Sequence, residues 1–316
     1  MNRILFNLLI VTLSLLSAGK ALAAEKDVFD YEAQRNAPAG TKRIVFICAI
    51  GTHGARGNHE FKAGSIYFAR RINALYPNAY AVVYPEDQWP KDLTGTDAII
   101  VLLNHAGKAA QDLHIKAAVE HGAGFMAIHF GVEVNQGQQG ENYLAWMGGY
   151  FETFWSVNPT WAADVNLLGK HPTTNGVKPF KVHDEWYYHM RFKEGMEGVT
   201  PILSAIPPVN TVNFKDKATD RGGNADVLKA VQAKEPQHLA WAYNRKDGGR
   251  GFGFTGFHVF NNLTNDDFRT TLLNGVAWVS GLEIPENGVP STTPTKEELD
   301  ALMDEAHLPS VVKQAK

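Results

Sequence analysis

The sequence predicts an α/β fold: a mostly parallel sheet with helices on both faces. Three observations predict it. Apolar runs in the first half are continuous rather than alternating, as in strands buried on both sides. Amphipathic helical stretches stand between them. Their order, β-α-β-β-α-β, fits crossover connections in one sheet.

In chain order, Ile44–Ile50 is the first buried strand. Glu60–Tyr76 carries Phe61, Phe68, Ile72 and Leu75 on one helical face. Tyr80–Tyr84 and Asp97–Asn104 are the next strands, and Lys108–His121 is a helix ended by Gly122. Gly124–Phe130 is a fourth strand. The second half is less regular. Tyr143–Gly149 reads as a short helix, and Ala162–Leu168, Pro201–Ile206 and Leu239–Asn244 as strands. Lys215–Lys234 is polar and reads as an excursion or loop; Gly249–Val259 is a Gly-rich strand region. Thr264 or Asn265 caps a helix with Phe268, Leu272, Val276 and Val279 on one face. A Pro-bearing tail follows, with a polar helix near Lys296–Ala306.

Composition bounds the function. With 316 residues, 44% hydrophobic and 20% charged, the chain is neither disordered nor collagen-like. Lys and Arg number 30 against 33 Asp and Glu, so no basic surplus marks a nucleic-acid partner. Met1–Ala24 reads as a secretory signal peptide: Arg3, then an apolar run, then the Ala21-Leu22-Ala23 cleavage site. The run is too short and too often interrupted by polar residues for a membrane anchor. The expected product is exported, periplasmic or secreted, with no membrane attachment after cleavage. The expected division is a signal peptide over 1–23, an extension over 24–41, one domain over 42–283 and a tail over 284–316. Cys48 is the only cysteine, so no internal disulfide can form, and it reads as a buried strand residue.

The chemistry-bearing residues fall at strand ends, where open α/β sheets bind ligands. His53, Arg56, His59 and Glu60 follow the first strand; Asn104 and His105 follow the third; His129 ends the fourth, with Glu133 beyond it. His258 ends the late Gly-rich strand, followed by Asn261 and Asn262. His53, His129 and His258 are candidate ligands of a divalent metal, with His59 as the alternate, and His129 is also a candidate acid/base. An imidazole/carboxylate set suits Zn, Mn or Fe-type ions. Gly51, Gly54 and Gly57 lack the dinucleotide spacing and no phosphate-binding loop motif exists, so no nucleotide cofactor is expected. No G-x-S-x-G elbow supplies a nucleophile.

The densest block is Val182-His-Asp-Glu-Trp-Tyr-Tyr-His-Met-Arg191. Strand alternation would send Asp184 and Glu185 to opposite faces, one entering a cleft and the other holding a loop. Both are candidate catalytic carboxylates. Trp186 and Tyr187, with Glu152 and Trp155 from a second aromatic-polar stretch, suit a sugar, whose ring faces stack on aromatics while its hydroxyls bond to acids. Glu133 and Asn262 complete the expected substrate-binding set.

The chain resembles the ThuA-like, or trehalose-utilisation, family over about Lys42 to Leu282. The resemblance rests on Thr52-His53 with His59-Glu60, Ala127-Ile-His129, Gly148-Gly149-Tyr-Phe151-Glu152, Ser156-Val-Asn-Pro159, His171-Pro172, Asp184-Glu185-Trp186-Tyr187, Gly249-Arg-Gly-Phe-Gly-Phe-Thr-Gly256 with His258, and Asn274-Gly-Val-Ala-Trp278. Two blocks, Asp-Glu-Trp-Tyr and the Gly-rich one, look like an exported bacterial subgroup. The resemblance implies a class I glutamine-amidotransferase-like, flavodoxin-like doubly wound fold. It also implies carbohydrate metabolism, including 3-keto sugars made by a partner sugar dehydrogenase. His129 stands where the amidotransferase cysteine would be, so glutamine hydrolysis is not expected. Phe154-Trp155 stands near where the broader family often has His-Pro. The expected activity is hydrolysis or elimination at a (3-keto-)glycoside or disaccharide. The alternative is a non-catalytic sugar-binding or accessory protein. The oligomeric state is left open, a homo-oligomer among the alternatives.

Overall fold

A computed structural model describes residues 26–167, 170–213 and 222–308. The proposed signal peptide and residues 215–221 of the polar excursion lie outside the described residues. In chain order the elements are α1 (Tyr31–Arg35), β1 (Lys42–Cys48), α2 (Phe61–Leu75), β2 (Ala79–Pro85), β3 (Ala98–Leu102), α3 (Gly107–Gln111), α4 (Leu113–Glu120), β4 (Gly124–Ile128), β5 (Glu133–Val134) and α5 (Gln138–Met147). They continue with β6 (Gly149–Glu152), β7 (Thr160–Leu167), β8 (Phe180–Glu185), β9 (Arg191–Phe192), β10 (Val199–Ala205), α6 (Ala225–Gln232), β11 (Gln237–Asn244), β12 (Arg250–Phe254), α7 (Asp266–Val279) and α8 (Lys296–His307).

Nine strands form one sheet in the order β2-β1-β3-β4-β12-β11-β10-β7-β8, and β5-β6-β9 form a small second sheet. The run from β2 to β12 is parallel; from β12 onward each neighbour is antiparallel. The first strand shows why both faces must be covered. Ile44, Phe46 and Cys48 enter the core under α2, α7 and α8, while Val45 and Ile47 enter the core under α3, α4 and α5. Burying both rows takes apolar area out of water at roughly 25 cal/mol per Å².

Two expectations are corrected. The helix expected over 108–121 is two helices, because Asp112 adopts an extended conformation and its carboxylate accepts from His114 N and Ile115 N, starting a new helix. The polar excursion ends in α6, capped by Asn224, whose Val227, Ala230 and Val231 are buried at helical spacing. The polar helix expected near Lys296–Ala306 is α8, which opens with a capping box between Thr295 and Glu298 and buries Leu299, Met303 and Ala306 in the main core. No helix among the described residues is long and apolar enough to cross a membrane.

Candidate metal centre

The parallel register builds the site. Phe254 of β12 pairs with Ile128 of β4, so the chain leaves both strands at one rim of the sheet. His129 follows β4 directly and His258 lies four residues past β12. The loop after β1 is zipped onto the same rim: His59 N donates to His258 O at 2.9 Å, and Phe260 N to Gly57 O at 2.8 Å. Both His59 and His129 hold the left-handed backbone, at φ 53° and 52°. Non-glycine residues adopt it only where their surroundings impose it, commonly at functional sites.

Glu185 arrives from β8. Phe180, Val182 and Asp184 face the core, so Glu185 faces the rim. Its Oε2 lies 3.2 Å from His129 Nε2, 3.2 Å from His258 Nδ1 and 3.9 Å from His59 Nε2. His258 Nδ1 and His59 Nε2 are 3.0 Å apart. One ligand atom from each of these four residues lies within 4.8 Å of the other three. A tetrahedron with arms of about 2.1 Å has edges of about 3.4 Å, so four such atoms could hold one ion with small adjustments.

The hydrogen bonds decide what faces inward. His129 Nδ1 lies 2.9 Å from Thr255 O, and His59 Nδ1 lies 2.9 Å from His53 O. A carbonyl only accepts, so both Nδ1 atoms carry the proton. Both Nε2 atoms therefore face inward, His129 Nε2 toward Glu185 Oε2 and His59 Nε2 toward His258 Nδ1. Orientation of a ligand imidazole through its other nitrogen is the usual support of a metal site. Burial first, then the neighbouring His129, press His59 down to about 3, with the His53 carbonyl opposing, so its ring stays neutral. Burial alone would raise Glu185, but hydrogen bonds and charge from His129 and His258 hold it at about 2.

Tyr187 closes one side. Its hydroxyl is 3.3 Å from both His129 Nε2 and Glu185 Oε2, and burial keeps it protonated. Asp184 stands behind. It is fully buried, and its oxygens accept from the amides of Glu185, Phe257, His258 and Val259 and from Asn262 Nδ2. It thus holds the turn that presents His258.

The structure does not bring every candidate together. His53 is exposed and stacks on His59 at 3.7 Å, so the four-atom group takes His59 where the sequence reading put His53. His105 caps the α3 turn, accepting from Gly107 N, and is outside the group. Trp186 is a correction: it is fully buried against Phe254 and Phe268, so it has no face for a ligand. Asn262 is bound to Asp184 and His183 O as part of the frame. Glu152 and Trp155 line a separate open recess of about 500 Å³ with Gln136, Phe154 and Arg191. There Glu152 takes a two-point ion pair from Arg191, whose guanidinium lies 3.5 Å over the Trp155 ring. Arg191 was missed, though the sequence places it at the end of the densest block. Glu133 is buried and accepts from Thr153 Oγ1.

A family model described as trehalose utilisation (ThuA) matches residues 53–279. No curated protein matches the chain. Among solved structures, a ThuA-like protein from Bacteroides uniformis ATCC 8492 is similar at TM-score 0.53 and 17% identity, covering 77% of this chain and 93% of its own. A cytoplasmic protein from Salmonella typhimurium LT2 has TM-score 0.47 and 14% identity, covering 75% of this chain and 99% of its own. At such identity the first likeness speaks for the fold alone.

Proposed function

The chain belongs to the ThuA, or trehalose utilisation, family, and from that premise we propose an exported carbohydrate-active hydrolase or lyase acting at a (3-keto-)glycoside or disaccharide. His59, His129, His258 and Glu185 would hold one divalent ion. The observation that carries this is the convergence of one ligand atom from each of the four residues, all within 4.8 Å of one another, with two of the rings oriented by hydrogen bonds at Nδ1. Zn, Mn and Fe-type ions suit the donor set. When bound, such an ion polarises a keto or hydroxyl oxygen of the sugar.

The remaining steps belong to the chain. In an elimination, the proton lost is the one on the carbon between the keto and anomeric carbons; the glycosidic oxygen leaves with a proton of its own. His53, exposed and stacked on His59, would exchange protons with a bound sugar. Tyr187 keeps its proton and steadies Glu185. Asp184 is a positioning residue, acting through the His258 turn. The recess of Trp155, Phe154, Glu152 and Arg191 would seat a second ring, by stacking and by hydrogen bonds from the guanidinium. Since Arg191 is neutralised by Glu152, a neutral sugar fits there better than an anion. A sugar dehydrogenase upstream would supply the keto group. Export is proposed from the leader sequence alone.

The test is a panel of oxidised and unoxidised disaccharides, with and without chelator. The expected result is turnover of a keto-glycoside that chelator and His129→Ala both abolish. Unchanged turnover in His129→Ala rejects the assignment. Sugar binding without turnover of any member supports the accessory-protein reading instead.

A further inference from the structure

From the contacts of the C-terminal helix we infer that α8 is a clamp on the metal centre, with His307 as a positioning residue. The inference rests on the metal reading above. Glu60, the residue after His59, is 1% exposed. A buried carboxylate is costly unless its oxygens are bonded. Glu60 Oε1 accepts from Gly57 N at 3.0 Å, and Oε2 lies 3.1 Å from His307 Nε2 at the end of α8. Glu60 therefore closes the 57–60 turn from within, and His307 holds Glu60 in place.

The turn reaches two ligands. His59 lies inside it. The Gly57 carbonyl accepts from Phe260 N, and His59 N donates to His258 O, so a shift of the turn also moves the segment carrying His258. Arg56 adds a second tie, donating to Asp304 Oδ1 at 2.8 Å and Asp300 O at 3.1 Å, but this pair is exposed and worth little alone. Without the His307 contact, Glu60 Oε2 is buried and unbonded. The side chain then turns toward water and releases Gly57 N.

The helix has another anchor that bypasses the turn: Arg70 of α2 makes a two-point ion pair with Glu305. This separates clamping from plain stability. Deleting α8 would uncover Leu299, Met303 and Ala306, so point variants are the proper probe. The experiment measures Zn²⁺ dissociation constants of the full chain by competition with a chromophoric chelator, beside thermal midpoints. His307→Ala should weaken Zn²⁺ by about 10–100-fold, the usual range for groups behind a ligand. His307→Gln, which keeps a donor, should restore most of it. Arg70→Ala should lower the midpoint and leave Zn²⁺ affinity within about threefold, because its loss does not reach the turn. Equal affinity in His307→Ala and the parent overturns the clamp, as does an equal loss in Arg70→Ala. Wild-type protein that takes up no Zn²⁺ overturns the metal reading and the clamp together; Zn²⁺ uptake with an unchanged variant overturns the clamp alone.

Discussion

Replacing Asp184 by Asn tests whether this carboxylate acts by holding the site rather than by touching substrate. Five donors share its two oxygens. Oδ1 accepts from Glu185 N at 2.8 Å, His258 N at 3.0 Å and Val259 N at 3.2 Å; Oδ2 accepts from Phe257 N and Asn262 Nδ2, both at 2.9 Å. An asparagine has one acceptor oxygen. If it takes the Oδ1 position, its NH₂ faces two donors, and both bonds are lost. Bonds to a charged acceptor contribute about 1.5–3 kcal/mol each, so Asp184→Asn should cost about 3–6 kcal/mol. That is a large share of the 5–15 kcal/mol typical of folded proteins. Urea unfolding should show a lower midpoint, and Zn²⁺ binding should weaken because the His258 turn loosens. A variant of wild-type stability and metal affinity that has nonetheless lost turnover would refute the reasoning and make Asp184 a reacting group.

Three further outcomes follow from the same geometry. Burial, with the charge of Arg250 adding, lowers His171 to about 4, against about 6.5 unfolded. The neutral form is thus favoured in the folded state: its stability contribution is full above pH ~6.5 and fades as pH falls toward 4, so His171→Asn, which keeps an acceptor for Thr173 N, should flatten that part of the stability–pH curve; parallel curves would contradict this. Cys48 is fully buried, and burial pushes its thiol up to about 12, so a thiol reagent should label it only after unfolding; rapid labelling of native protein would be the contrary result. Tyr187→Phe keeps the ring packed on Phe151 and His129 but removes the hydroxyl near Glu185, so the fold should persist while turnover falls about 10–100-fold; full activity would show that the hydroxyl is idle.

The elements that the sequence made legible are those with uninterrupted apolar runs. Ile44–Ile50 and the runs at 80–84, 97–104 and 124–130 can be buried on both faces only in a covered sheet, and the structure puts them there as β1 to β4. The strand-end rule led to His129 and His258. It put His53 first and His59 as the alternate, the two sharing one Gly-rich loop, whereas the structure groups His59 with the others. That choice is made by a long-range pairing, Asn58 with Val259, which no local spacing encodes. Alternation separated Asp184 from Glu185 without saying which turns inward. The signal was nonetheless present: Phe180, Val182 and Asp184 share one face of β8, and two apolar neighbours mark it as the core face. Trp186 reads like a sugar platform by residue type, yet large aromatics are as often core, and Gly256 leaves the space its ring fills. The break at Asp112 was equally readable as a helix cap inside a helical pattern.

Three imidazoles and Glu185 are proposed to form one cation site. Crystals grown with Zn²⁺ and measured at its absorption edge test it directly. The predicted result is a single anomalous peak among His59 Nε2, His129 Nε2, His258 Nδ1 and Glu185 Oε2. A map with no peak there, or with the ion bound at another place on the molecule, would contradict it.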